Sequence, residues 1–319
     1  MTLYLTEQDI DGLLTPEDAL EAIEGSFRRI AEGVVENVPR RRLRLDGGAL
    51  AVMSAVDLGL GVAGVKTYAA GRGGASFVLV LFDAQTDETL AVIEADRLGQ
   101  YRTGAASGVA AKFLAGDAAT SLGVIGAGTQ AEMQVRCVRA AVPGLETVLV
   151  YSRSEERREE FARLVGAEPA ESAQEAAAQD VVVTITSSRD PVLRGDWLRP
   201  GALVCAAGAN RPQARELDNA VLRRAAFVCC DSVEDARIES GDLIEPVQHG
   251  VLDWLEVHEL SEVVSGQVQG RQAAEDIVVF KSNGIAAWDV AIGALAVARA
   301  RERGIGRAAQ RGPGAPASF

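Results

Sequence analysis

Residues 121–131 read Ser121-Leu122-Gly123-Val124-Ile125-Gly126-Ala127-Gly128-Thr129-Gln130-Ala131, and their reading decides the fold. The apolar run 121–125 predicts a short strand that ends at Gly126. Residues 129–141 carry helical periodicity, and 147–151 form a second apolar run. A G-x-G-x-x-A turn between a strand and a helix, with another strand about twenty residues on, is the arrangement that binds a dinucleotide. Gly126 permits the tight turn, and Gly128 lets the backbone approach a pyrophosphate. The helix that starts near Thr129 and Gln130 then offers unpaired N–H groups and a partial positive charge to the phosphates. The motif alone is weak, and an ordinary glycine turn is the plainer alternative. Its context carries the reading.

The end of the second strand bears on which dinucleotide is bound. Sites for NAD usually place an acid there to hold the ribose hydroxyls. This chain has Tyr151-Ser152-Arg153-Ser154, and no acid before Glu155. A carboxylate repels a 2′-phosphate, whereas a guanidinium flanked by two hydroxyls attracts one. NADP(H) is therefore the preferred cofactor, with NAD(H) possible and a solvated turn arginine as the alternative reading of Arg153.

Downstream, residues 180–186, 202–206, 227–230 and 278–280 read as further strands, with helices at 155–164 and 285–303 and a tail from 304. Strands that alternate with helices predict an α/β Rossmann fold with a doubly wound parallel sheet. Upstream the rhythm differs. One helix is expected from Thr6, and another from Thr15-Pro16-Glu17-Asp18, where a cap, a proline and two acids suit a helix start. Strands are then expected from Val38 and at 50–55, 61–68, 76–82 and 89–94, followed by a helix over 95–114. Strands that follow one another without helices make this first part α+β.

Composition narrows the classes. The chain has 319 residues, 48% of them hydrophobic and 24% charged, which is enough for a large core that needs neither metal nor disulfide. Its formal net charge of −13 disfavours nucleic acid as a partner. The arginines at 40, 41, 42 and 44 are the one basic run, and such a run usually forms a solvated strand face. The four cysteines lack metal-site spacing, and only two histidines are present, so no metal is expected. The first eleven residues have no secretory pattern. The apolar stretch 285–300 contains Asp289 and Arg299 and is short for a bilayer span, so a cytoplasmic protein without a membrane role is expected.

Several motifs together resemble the ornithine cyclodeaminase/mu-crystallin family. They are Val65-Lys66, Ile93-Glu94-Ala95 with Arg102-Thr103-Gly104-Ala105, Gly126-Ala127-Gly128-Thr129-Gln130-Ala131, Gly208-Ala209-Asn210-Arg211-Pro212 with Glu216-Leu217-Asp218, and Phe280-Lys281-Ser282. They follow the family's order. The resemblance implies a substrate-binding and dimerisation domain of residues 1–115 plus 285–319, a dinucleotide domain of 116–284, and a homodimer. It also implies hydride transfer between a nicotinamide and the α-carbon of a small amino or imino acid. Three activities are compatible with it: ketimine reductase or amino-acid dehydrogenase, ornithine cyclodeaminase with bound NAD, and a non-catalytic NADPH-dependent binding protein.

Such a substrate carries a carboxylate, and the resemblance matches Arg40, Lys66 and Arg102 to the positions that bind it, with Arg41 as the alternative to Arg40. Lys66 is the most telling, because it sits in an apolar strand where an unpaired ammonium is costly. The plainer alternative is a lysine at a strand end that reaches water. A desolvated lysine also serves as a proton donor, so its loss is expected to stop turnover and spare the fold. The resemblance implies that Thr103 lies near the cofactor phosphates, that Gly208 is on the cofactor side, and that Ser282 and Asn283 are on the nicotinamide side. Asn210 departs from the family pattern: cyclodeaminases, and some alanine dehydrogenases, resemble this segment but carry an aspartate there. An amide cannot exchange a proton at neutral pH. That favours a reductase over ammonia elimination, unless Asn210 is simply a turn residue.

Overall fold

The structure is a computed structural model that describes residues 1–309. Along the chain the elements run β1 (Leu3–Leu5), α1 (Glu7–Leu13), α2 (Pro16–Ala31), β2 (Val35–Leu45), β3 (Gly48–Asp57), β4 (Val62–Gly71), β5 (Gly74–Asp83), β6 (Thr89–Glu94) and α3 (Asp96–Leu114). They continue with β7 (Ser121–Ile125), α4 (Ala131–Ala141), β8 (Thr147–Tyr151), α5 (Glu155–Val165), β9 (Glu168–Pro169), α6 (Ala173–Ala177), β10 (Val181–Thr184) and β11 (Leu203–Ala206). The last are α7 (Asn219–Arg224), β12 (Ala225–Cys230), α8 (Val233–Glu239), α9 (Gly241–Gln248), β13 (Val257–Glu259), α10 (Leu260–Val264), β14 (Ile277–Lys281) and α11 (Ala286–Arg303).

The chain divides into two compact units. The first comprises Met1–Thr15, Gly33–Gly99 and the residues from Ala286 onward. Its sheet has the order β1-β6-β5-β4-β3-β2, with β2 to β6 an antiparallel meander and β1 parallel to β6. Buried and half-buried residues alternate along β3 and β4, as expected for a sheet with one covered face. Helix α11 covers that face. A Cβ at Gly64 would stand 2.8 Å from Val290 Cγ2, and one at Gly293 would stand 2.7 Å from Leu79 Cδ2, so glycines set the spacing of helix and sheet. Helix α1 starts in a capping box between Thr6 and Asp9. The Glu94 carboxylate accepts from Glu7 N–H, and that of Glu7 accepts from Asp96 and Arg97 N–H, which ties β6 to the starts of α1 and α3.

The second unit comprises Pro16–Glu32 and Gln100–Ile285. Its sheet has the order β13-β12-β14-β11-β10-β7-β8-β9, and every pairing is parallel. Strands β7, β10, β11 and β14 are buried along their whole lengths, as a sheet covered on both faces requires. The expected α/β fold, a doubly wound parallel sheet accompanied by an α+β unit, is present.

Three differences from the sequence reading have physical causes. Strand β1 is three residues long and is completed by pairing with β6 and, antiparallel, with Arg307–Ala308. The segment read as a tail therefore starts with a paired strand; its remainder lies outside the described residues. Helix α2 packs on α4 and α10, so α2 and most of α3 cluster with the second unit, whereas the sequence reading drew its boundary at 115/116. An amphipathic helix shows that it has a partner face without showing which element it meets.

Candidate active site

In the second unit, β7 lies between β8 and β10. The chain leaves β7 toward one side and later returns on the other, and the C-terminal ends at such a switch point form a ligand crevice. Gly126 sits there with φ +127°, and a Cβ on it would overlap the Ile185 carbonyl. Gly128 is exposed and has nothing within 4 Å of where its Cβ would be, so the turn is open where a phosphate would approach. Thr129 is exposed, and Gln130 occupies the N-cap of α4 without a side-chain cap. The Gln130 Oε1 is buried and lacks a hydrogen-bond partner among the described residues. An open glycine turn and a helix N-terminus, whose N–H groups are donors, fit a dinucleotide phosphate group.

At the end of β8, Ser152 is half-buried and Arg153 is exposed. The Ser154 hydroxyl oxygen accepts from Arg157 N–H and caps α5, so part of its chemistry is local structure. Arg158 adds a cation that the sequence reading missed. Its guanidinium carbon lies 5.8 Å from the Tyr151 ring centroid, and its Nε is buried without a hydrogen-bond partner.

Helix α3 reaches the cradle through close packing on α4. A Cβ at Gly104 would overlap the Met133 carbonyl, and Gln134 Nε2 donates to Thr103 O at 3.1 Å. Thr103 is thus buried beside the first turns of α4. Arg102 lies against Gly284, where a Cβ would overlap the guanidinium.

The loops beyond β10, β11, β12 and β14 are held by buried ions. The Glu216 carboxylate accepts from Thr184, Thr186, Gly208 and Ala209, and that of Asp231 accepts from Ser282 Oγ and from the N–H groups of Asn283 and Gly284. Burial pushes both carboxyls up, and the charge of Lys281 draws each part of the way back. Gly208 also has a packing reason: a Cβ there would overlap the Thr186 backbone. Ser282 is buried with its hydroxyl turned to Asp231, and Asn210 is half-buried at the end of the same loop system. Asp231 and Asp242 were not singled out from the sequence, and Glu216 and Lys281 entered it only as members of the family motifs, with no role assigned.

In the first unit, Lys66 projects from β4 and is 2% exposed. It does not reach water as the snorkelling alternative required. Its Nζ lies 2.6 Å from Asp289 Oδ1 on α11 and 5.6 Å from the Phe77 ring centroid. Because Asp289 is itself fully buried, removing Lys66 would take an ionic partner from a buried carboxylate. That corrects the expectation that the fold would be indifferent to Lys66. Arg40 is 4% exposed and lies at the irregularity of β2 between Val38 and Arg41, with Nε 3.2 Å from Met53 Sδ. Arg41 is exposed, so Arg40 is the inward-facing arginine. No group of three side chains suited to a metal ion occurs among the described residues, and no helix there is long and apolar enough to cross a membrane.

The chain is similar to known proteins in sequence and in fold. The model of the ornithine cyclodeaminase/mu-crystallin family matches residues 1–304. The Δ1-pyrroline-2-carboxylate reductase of Bacillus cereus is 38% identical over 237 residues, 72% of each chain. The structure of the Thermococcus litoralis Δ1-pyrroline-2-carboxylate reductase in complex with NADH and L-proline superposes with a TM-score of 0.91 at 31% identity, covering 97% of this chain and all of that one. An archaeal alanine dehydrogenase dimer with bound NAD superposes with a TM-score of 0.90 at 32% identity, covering 96% of this chain and 98% of that one.

Proposed function

This chain belongs to the ornithine cyclodeaminase/mu-crystallin family, and on that footing we propose that it is a nicotinamide-dependent oxidoreductase that reduces the C=N bond of a small α-imino acid, with NADPH preferred. The observation that carries the reading is the buried Lys66–Asp289 pair. Taking two ions out of water costs several kcal/mol each, roughly, and an apolar pair would stabilise the strand–helix contact as well or better. A pair kept at that cost suits a task in which a protonated amine must be available.

Each residue then has a role that its chemistry allows. Arg40, Lys66 and Arg102 hold the substrate carboxylate; the guanidinium groups can do so through paired hydrogen bonds. Asp289 aims Lys66, and Lys66 gives a proton to the imine nitrogen. Asn210 donates and accepts hydrogen bonds without moving a proton, so it positions the nitrogen. Gly126, Gly128, Thr129 and Gln130 hold the pyrophosphate with Thr103 beside them. Ser152, Arg153 and Ser154 hold the 2′-phosphate, and Gly208 and Ser282 shape the nicotinamide side. The bound nicotinamide supplies the hydride. Deuteride carried on NADPH is expected at Cα of the product proline when Δ1-pyrroline-2-carboxylate is the probe. A product without deuterium at Cα contradicts the reading.

A homodimer belongs to the same proposal. Strand β2 is the edge of its sheet, and Val38, Leu43 and Leu45 along it are exposed. An open apolar edge invites pairing with a second copy. Sedimentation is expected to give a dimer at micromolar concentration; a clean monomer contradicts this. All four cysteines are buried free thiols, the state a reducing compartment preserves, which supports a cytoplasmic setting.

A further inference from the structure

We propose that Glu216 and Lys281 are positioning residues, which fix Asn210 by gripping the two peptide groups that flank Ala209. The inference rests on the reading of Asn210 as a substrate-facing residue. Glu216 Oε2 accepts from the N–H groups of Gly208 at 2.7 Å and Ala209 at 3.2 Å, and from Thr184 Oγ1 at 3.0 Å. Its Oε1 accepts from Thr186 N at 2.6 Å and Thr186 Oγ1 at 2.8 Å. Lys281 Nζ approaches the loop from β14 and donates to Ala209 O at 2.6 Å and Ala206 O at 3.2 Å. The Ala209 carbonyl belongs to the peptide bond that carries the Asn210 N–H. One buried anion therefore holds the peptide before Ala209, and one buried cation holds the peptide after it.

The two ions are linked through Asp242. Its Oδ2 lies 3.0 Å from Lys281 Nζ, while its Oδ1 accepts from Glu216 N at 2.7 Å and Leu217 N at 2.9 Å. Glu216, Asp242 and Lys281 are all fully buried. The bonds close a circuit from Lys281 through Asp242 and the Glu216 main chain to the Glu216 carboxylate, then across Ala209 back to Lys281. Connecting β11 to the next segment needs no such device, since buried ions are poor stabilisers and a turn can be set by local residues. What a closed circuit adds is a single loop geometry. The loop after β14 is treated alike, its N–H groups at 283 and 284 converging on Asp231.

The test is a double-mutant cycle between Glu216→Gln and Asn210→Ala, read as kcat, KM and NADPH affinity with the best-turned-over member of a panel of α-imino acids. Glutamine keeps the volume but turns an amide N–H₂ toward a cluster that includes the N–H groups of Thr186, Gly208 and Ala209, which can only donate. Glu216→Gln is expected to lower kcat about 10- to 100-fold, in the range that a small displacement of a reacting group costs. KM should stay within about threefold, and NADPH affinity should fall by less than kcat does, since the circuit acts chiefly on Asn210 although Glu216 also holds the Gly208 N–H on the nicotinamide side. Asn210→Ala, harmful in the wild type, should then cost less than about twofold more, because the two changes remove one function. Full additivity overturns the clamp while leaving the proposed function standing. An Asn210→Ala enzyme with wild-type kcat overturns the clamp by removing the reading beneath it. If Glu216→Gln does not bind NADPH as a folded protein, Asp242→Asn goes through the same cycle: it keeps the Oδ1 acceptor and weakens only the tether on Lys281, and the same two outcomes decide.

Discussion

Lys66→Met is expected to lower turnover by about 10²- to 10⁴-fold, the usual contribution of a positioned acid, and to destabilise the fold by about 3–5 kcal/mol. The two losses have different origins and can be separated. The stability loss arises because Asp289, fully buried on α11, loses the ammonium 2.6 Å away. Replacing the whole pair, as in Lys66→Met/Asp289→Val, removes the buried carboxylate as well, and apolar replacements for buried pairs are often neutral or better. The double variant should therefore regain most of the stability in urea unfolding and none of the turnover. A double variant with substantial turnover would mean that Lys66 is no more than half of a structural ion pair. A single variant of wild-type stability would mean that the buried carboxylate is compensated in another way.

Arg153→Glu should weaken NADPH binding by about 100-fold, equivalent to about 2.7 kcal/mol, and change NADH binding by less than about threefold. The substitution puts an acid at the end of β8, where NAD sites usually carry one and where it repels a 2′-phosphate. Arg153 is exposed and Ser154 caps α5, so the change should leave the fold alone. Nicotinamide fluorescence titrations with both cofactors at two salt concentrations check it. Added salt should weaken NADPH binding to the wild type more than to the variant, in which it also screens the new repulsion, as expected of a charge–phosphate contact near water. Equal effects on NADH and NADPH would show that Arg153 does not read the phosphate.

The parts of the fold that the sequence revealed are those written in neighbouring residues. Strand β7, the glycines at 126 and 128 and helix α4 lie within about twenty residues, and each leaves a local mark: an apolar run, a glycine pair, a helical period. The parts that stayed hidden depend on distant partners. Strand β1 and the residues 307–308 that pair with it are too short to show a period, and each takes its shape from the opposite end of the chain. Strand β13 and helices α7 to α10 are each of eight residues or fewer, too short for a clear pattern. At the site, Lys66 stood out because a charge in an apolar strand needs an explanation. Asp289 did not, because its partner is 223 positions away and an acid near a helix start is ordinary. Glu216 and Asp231 look like surface acids in sequence, and only the fold shows the N–H groups that converge on them.

The reductase reading is tested most directly by following nicotinamide absorbance while the protein meets NADPH and a panel of α-imino acids, cyclic and acyclic, with ornithine in a parallel arm assayed for ammonia. Stoichiometric loss of NADPH against at least one imino acid, with no ammonia from ornithine, is the expected result. Proline and ammonia formed from ornithine with no net change in the nicotinamide would contradict it and make the chain a cyclodeaminase despite Asn210.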